Sequence, residues 1–193
     1  MVAVNSTMLP LGTVAPPFSL PDPSGVLHSL ADAAGAPATL VMFLSNHCPY
    51  VQHLGREVGL LTQRWQARGV AVFGVMSNDI DAYPDDAPDK MVSSARGWGW
   101  DFPYLVDTDD HATATAYRAA CTPDFFLFDA GLHLVYRGQF DGSRPGNDVP
   151  VTGADLRAAV DAVLEGEPVG PDQRPSMGCN IKWRPGRAPD YFA

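Results

Sequence analysis

Cys48 is the residue in this chain best placed to do chemistry. It lies in Val41-Met42-Phe43-Leu44-Ser45-Asn46-His47-Cys48-Pro49-Tyr50-Val51, where an apolar run ends in a small polar corner and a proline follows the thiol. A cysteine between the end of a buried strand and the first turn of a helix meets unpaired N–H groups and the positive end of the helix dipole. Both favour the thiolate, which is the nucleophilic form. The plainer alternative is a small buried apolar residue; the order strand end, cysteine, proline, helix favours the reactive reading. Cys121 and Cys179 bring the cysteines to three. An odd, sparse set is not the framework of a disulfide-stapled secreted domain. His47, Cys48 and His53 contain metal-ligating groups, but Cys48 opens a helix and no other ligand cluster accompanies them. No metal and no cofactor are therefore expected.

That chemistry depends on elements able to hold the thiol in place. The run from Thr39 to Leu44 is apolar on both faces, as a strand in a sheet covered on both sides requires. Val51, Leu54, Val58, Leu61 and Trp65 recur at threes and fours, which predicts a helix over 49–68. Pro49 suits its first position and Gly69 its stop. Val70 to Met76 reads as a second buried strand, so strand, helix and strand form a parallel crossover. Upstream, residues 1–12 read as a loose arm, and Pro23-Ser24-Gly25 as a turn between two short extended pieces with Phe18 and Leu20 facing inward. Downstream, the acidic stretch Asn78 to Asp89 lacks the spacing of a calcium loop. It reads as a solvated segment whose Asp85 to Asp89 place negative charge at the start of a helix over 88–97. Trp98, Trp100 and Phe102 pack that region down. A short strand over 102–107 and a short helix over 109–119 follow. Phe125 to Asp129 and Leu132 to Gly138 read as an antiparallel hairpin around the two-residue turn Ala130-Gly131. Thr152 is placed to cap a helix running to Leu164. Residues 166–193 form a proline- and glycine-rich tail that carries Cys179.

The 193 residues fit one domain, with a core over about 10–165 and the tail over 166–193. The net charge of −9 argues against nucleic acid or an anionic membrane surface as partner. No stretch approaches membrane-spanning length, and the first residues have no basic segment followed by a long apolar one. The expected setting is the cytoplasm, where thiols are kept reduced.

Hairpin, strand, helix, strand, helix, helix, strand, strand, helix is an order that resembles the thioredoxin fold, an α/β three-layer arrangement with a central mixed sheet between helices. Within that fold the chain resembles the peroxiredoxin-like redoxin family, the alkyl hydroperoxide reductase and thiol-specific antioxidant branch. The resemblance rests on Ala15-Pro16-Pro17-Phe18-Ser19-Leu20, Asn46-His47-Cys48-Pro49-Tyr50-Val51, Cys121-Thr122-Pro123-Asp124-Phe125-Phe126-Leu127-Phe128-Asp129 and Gly138-Gln139-Phe140-Asp141-Gly142-Ser143-Arg144-Pro145-Gly146-Asn147. Pro175-Ser176-Met177-Gly178-Cys179-Asn180-Ile181-Lys182-Trp183 looks like the end of one branch of the family.

The resemblance implies a thiol-based oxidoreductase in which Cys48 attacks a peroxide or a disulfide. The resulting sulfenic acid condenses with Cys121 or with Cys179, within the chain or across a homodimer, and an external dithiol such as a thioredoxin-like protein reduces the disulfide. Peroxiredoxins carry a threonine three residues before the reactive cysteine, and Ser45 fills that position. Pro123 matches the thioredoxin proline that the family holds cis, which would bring Thr122 against the cysteine and leave it available to contact a bound chain. His47, Pro49, Thr122, Pro123 and Arg144 are thereby candidates for the substrate side of the site. The sequence departs from the family at three positions. Val41 stands where peroxiredoxins have a proline, Pro123 occupies the region of their arginine, and Ser45 replaces a cysteine common in this branch. Arg144 is the candidate for the missing cation. Two other readings follow from the same fold: a thiol-disulfide exchange protein or redox sensor, and a non-catalytic module that binds an extended peptide beside Pro123.

Overall fold

The computed structural model describes residues 3–192. In chain order its elements are strands β1 (Ala3–Asn5), β2 (Ser19–Pro21), β3 (Leu27–Ser29) and β4 (Ala38–Phe43), helix α1 (Pro49–Gln66), strand β5 (Ala71–Met76), helix α2 (Pro88–Trp98) and strand β6 (Tyr104–Val106). Helix α3 (Ala112–Ala116), strands β7 (Cys121–Thr122), β8 (Asp124–Asp129) and β9 (Leu134–Gly138), helix α4 (Ala154–Glu165) and strand β10 (Met177–Asn180) follow, with short 3-10 turns at Leu30–Ala33, Pro84–Asp86 and Asp190–Phe192.

A five-stranded sheet ordered β6-β5-β4-β8-β9 forms the centre. Strand β4 is wholly buried because it pairs in parallel with β5 and antiparallel with β8, and both faces are covered. Its alternation divides the core. Leu40, Met42 and Leu44 face the layer that includes α1 and α4, while Val41 and Phe43 face the layer with Phe18, Ala114 and Tyr117. This is the expected three-layer, thioredoxin-like arrangement with a mixed sheet. Helix α1 buries the stripe Val51, Leu54, Val58, Leu61 and Trp65. Burying each such side chain is worth about 1.5–3 kcal/mol, so the register of α1 against the sheet is strongly fixed. Gly59 lets α1 lie directly against the carbonyl of Trp98 at the end of α2, where any side chain would collide.

Several local details differ from expectation. Four residues, 130–133, connect β8 to β9, because the Asp129 carboxylate accepts the N–H groups of Gly131 and His133, each at 2.9 Å. Thr152 does not cap α4. Gly153 is the cap, at φ 62°, and Asp141 from outside the helix accepts the N–H groups of Thr152 and Gly153 at 2.7 Å.

The arm and the tail depart furthest from the sequence reading. Residues 1 and 2 of the arm and residue 193 of the tail lie outside the described residues. The rest of the arm is not loose: β1 pairs antiparallel with β10, and β10 pairs antiparallel with β7. Residues from the two ends of the chain therefore share a three-stranded sheet, with the tail strand in its middle. The tail is then stitched onward by Ile181 N–H to Ala120 O (3.0 Å), Asp79 N–H to Lys182 O (2.7 Å) and Arg184 N–H to His111 Nε2 (3.0 Å).

Candidate active site

Cys48 occupies the N-cap of α1, with extended backbone, and Pro49 follows at the first helical position, half-buried. The thiol is completely buried. As a thiol it donates to the Thr122 carbonyl at 3.0 Å. As a thiolate it accepts instead. Burial pushes its pKa up, but the nearby Cys179 thiol, the Thr122 side chain and the N–H groups of Val51 and Cys179 outweigh burial and bring it down to about 6. The Val51 N–H is one of the unpaired first-turn groups that the position of a cysteine before a helix supplies. Cys179 shifts the opposite way. Its proton is held by the Cys48 sulfur, and burial and the adjacent negative charge push it far up. The two thiols thus act on each other in opposite senses, Cys48 drawn toward the thiolate and Cys179 toward the thiol.

The strand pairing explains how a residue so distant in sequence reaches the site. Cys179 lies directly opposite Thr122 in the β10–β7 register. Gly178 makes this possible, since any side chain there would run into the Thr122 carbonyl. Cys121, one residue earlier on β7, lies opposite Asn180. Its sulfur contacts the carbonyls of Pro123 and Ser176, at 3.5 and 3.9 Å. Burial, Asp124 and Cys48 push the Cys121 thiol well above its ordinary range. All three cysteines are buried thiols.

The peptide bond between Thr122 and Pro123 is cis. The backbone edge before it is occupied, because Thr122 pairs with the tail. What remains beside Pro123 is a hollow of about 10 Å³ bounded by Tyr50, Phe140, Arg144, Pro145 and Met177, about enough for one water.

Three further residues surround the thiol pair without having been singled out in the sequence. The first is Asp86. It is not part of a solvated cap but is completely buried. Its carboxylate accepts the Ser45 hydroxyl (3.0 and 3.2 Å), the N–H groups of Asn46 (2.6 Å) and His47 (3.2 Å), the Asn78 amide (2.6 Å) and His47 Nδ1 (2.8 Å). Burial raises its pKa, but the hydrogen bonds from His47 and Asn78, the His47 charge and the Ser45 hydroxyl bring it below the usual carboxylate value. Ser45 is thereby committed to Asp86 rather than to the sulfur. The His47 ring stacks on Tyr83 at 5.5 Å with 10° between planes, and its Nε2 is buried with no hydrogen-bond partner.

The second is Lys182. Its ammonium lies 5.7 Å from the centre of the Tyr83 ring and donates to Asn180 Oδ1 at 2.8 Å. Burial lowers its pKa, while Cys179, Cys48 and Asp86 act to raise it. The cation near the sulfurs is therefore this lysine. Arg144 instead donates to the carbonyls of Asp141 and Ser143 (2.7 Å each) and to Gln139 within its own loop. His53 is likewise engaged elsewhere, with Ser143 Oγ at 2.7 Å. The third is Asp124, directly after the cis bond, wholly buried and with no hydrogen-bond partner at either oxygen.

A signal for Lys182 existed in the sequence, three residues beyond Cys179 in the same tail motif. Asp86 had none, because nothing in an acidic run says which carboxylate turns inward. Among the described residues no group of three or more His, Cys, Asp or Glu side chains could hold a metal ion, and no helix is long and apolar enough to cross a membrane.

These features can be set beside known proteins. The chain is 49% identical to an uncharacterized conserved protein of Geobacillus kaustophilus, covering 96% of this chain and 98% of that one with a TM-score of 0.93. It is 48% identical to a hypothetical protein of Sinorhizobium meliloti 1021, over 94% and 99% of the two chains with a TM-score of 0.92. The thioredoxin domain of a thiol-disulfide oxidoreductase from Bacteroides vulgatus shares the fold at 19% identity, over 79% and 99% of the chains with a TM-score of 0.60. Among curated proteins, a chalcone synthase of Aspergillus candidus is 32% identical over 124 residues, which are 63% of this chain but only 4% of that protein. The family match is direct: residues 11–137 fit the AhpC/TSA family. With its thioredoxin-like fold and a cysteine opening the first long helix, the chain belongs to the AhpC/TSA family.

Proposed function

We propose that this protein is a thiol-dependent peroxidase in which Cys48 attacks and Cys179 resolves. The observation that carries the reading is the thiol pair itself: Cys48 caps α1 with its sulfur 3.0 Å from the Thr122 carbonyl, and β10 sets Cys179 directly opposite Thr122, with the Cys48 pKa brought down to about 6. The Cys48 thiolate attacks one oxygen of a peroxide. The S–O bond forms, the O–O bond breaks, and the departing oxygen takes a proton to leave as water or an alcohol. Cys48 is now a sulfenic acid, oxidised by two electrons. The Cys179 sulfur then attacks Cys48 Sγ, the S–S bond forms, and hydroxide leaves with the Cys179 proton as water. An external dithiol reduces the disulfide and resets the cycle. Lys182 supports the thiolate by charge.

A small oxidant is favoured over a protein disulfide by two features: Cys48 is fully buried, and the tail already fills the backbone edge before Pro123. The same features count against a module that binds extended peptides. The experiment is peptide mass spectrometry after one equivalent of hydrogen peroxide, followed by turnover with a dithiol reductant. The expected product is a Cys48–Cys179 disulfide, with Cys179→Ser trapping a sulfenic acid at Cys48 and Cys121→Ser forming the disulfide as before. A Cys48–Cys121 disulfide would remove Cys179 from its role, and peroxide turnover by Cys48→Ser would remove Cys48.

A further inference from the structure

We infer that His47 is the general acid of this reaction, protonating from Nε2 the oxygen that leaves as Cys48 attacks, with Asp86 as its positioning residue. The inference rests on the peroxidase reading. It starts from a chemical need that the thiol pair leaves unmet. Thiolate attack on hydrogen peroxide expels hydroxide, a poor leaving group near neutral pH, and a proton delivered as the O–O bond breaks lowers that barrier. The Cys179 proton is held against the Cys48 sulfur, where the second step consumes it.

The His47 ring is held on three sides. Nδ1 is bound to the Asp86 carboxylate at 2.8 Å, the ring face lies on Tyr83, and its own peptide N–H reaches Asp86 at 3.2 Å. Asp86 is fixed in turn by Ser45, Asn46 and Asn78. A carboxylate buried this deeply and given this many donors is an expensive way to hold one side chain unless the ring has a task. Nε2, at the far end of the ring from Asp86, is sealed from solvent and has no partner. An unmade hydrogen bond of this kind is unfavourable, and a substrate atom seated beside Cys48 would supply it. His47 precedes Cys48 directly, so both belong to the same corner at the start of α1.

In the step, imidazolium Nε2–H gives its proton to the departing hydroxide or alkoxide, which leaves as water or an alcohol. The ring becomes neutral, Asp86 keeps the Nδ1 proton oriented, and water that enters as the product leaves restores the Nε2 proton before the next turnover. Lys182 is the competing proton source; two of its three N–H groups are turned to the Asn180 carbonyl and Oδ1.

The test compares two small oxidants attacked in the same way: hydrogen peroxide, which expels hydroxide, and peracetic acid, which expels acetate and needs no proton. Rates of Cys48 oxidation are measured for the wild type, His47→Gln and Asp86→Asn. General acid catalysis is worth about a hundredfold or more, so in His47→Gln the loss against hydrogen peroxide should exceed the loss against peracetic acid by roughly tenfold or more. Asp86→Asn, which removes the charge that orients the ring while keeping its imidazole, should show the same selective loss. Circular dichroism and cooperative urea unfolding report that each variant is folded. Equal losses for both oxidants in both variants would overturn the inference and leave Cys48 chemistry standing. Failure of wild-type Cys48 to react with either oxidant would instead overturn the peroxidase reading.

Discussion

Asp124 gives the sharpest physical prediction. Burial pushes its carboxyl pKa up, and although Ser6, Ser176 and the N–H groups of Ala120 and Phe125 pull it partly back, it settles at about 7. None of them makes a hydrogen bond of ordinary geometry to either oxygen. The unfolded chain releases this proton near 3.8. The folded value is raised, so this group's contribution to stability is fully present below about pH 4. It is lost as pH climbs to about 7 and is constant above that. The full loss is about 4 kcal/mol, from the difference between the two pKa values. Between pH 5 and pH 8 the loss is about 2–3 kcal/mol. Asp124→Asn has no proton to lose. Urea unfolding of both reduced proteins should therefore show the variant gaining about 2–3 kcal/mol relative to wild type over that range. Other titrating groups are common to both proteins and cancel in the comparison. Parallel pH profiles would refute the reasoning, since they would mean that Asp124 is ionised in the fold or reached by solvent.

Three further outcomes follow from the site. The Cys48 thiolate absorbance should titrate near pH 6, and Cys179→Ala should shift that inflection upward because it removes the thiol that lowers the Cys48 pKa; an unmoved inflection would separate the two sulfurs. Because the Cys48 pKa is lowered by folding, its stabilisation is present above the unfolded value and disappears as pH falls through about 6. Gly178→Ala should displace β10 from Thr122, so that peroxide leaves a dimedone-reactive sulfenic acid in place of a rapid disulfide; undiminished disulfide formation would show that the strand accommodates the methyl group. Lys182→Met should raise the Cys48 inflection through loss of a buried cation, and no change in the titration would show that the lysine acts on the tail alone.

The sequence was most legible where one chemical demand dominated. The uninterrupted apolar run at Thr39 to Leu44 and the helical stripe from Val51 to Trp65 each fix burial by type alone, and both appear within a few residues of their expected bounds. Cys48 was visible because three independent signals fall on adjacent residues. The tail was not legible, because Met177 to Asn180 is too short to carry an alternating pattern, and its strand exists only through partners at Ala3–Asn5 and Cys121–Thr122. Arg144 and Lys182 show the same limit. Either could have been the cation, and the choice lies in a loop that folds back on itself and a tail that crosses the sheet. Asp86 and Asp124 are ordinary surface residue types made exceptional by burial, which is a property of the assembled core.

The position of β10 also bears on synthesis. On the proposed mechanism, the attacking Cys48 leaves the ribosome more than a hundred residues before the resolving Cys179. Every strand of the five-stranded sheet, and the helix that Cys48 caps, can form while Cys179 is still untranslated. A nascent chain therefore passes through a stage in which its reactive sulfur has no resolving partner and Ala3–Asn5 has no central strand to pair with. An oxidant met at that stage would leave a sulfenic acid that only a thiol from another molecule could rescue. The threading that protects the finished site thus makes growing chains its most vulnerable form.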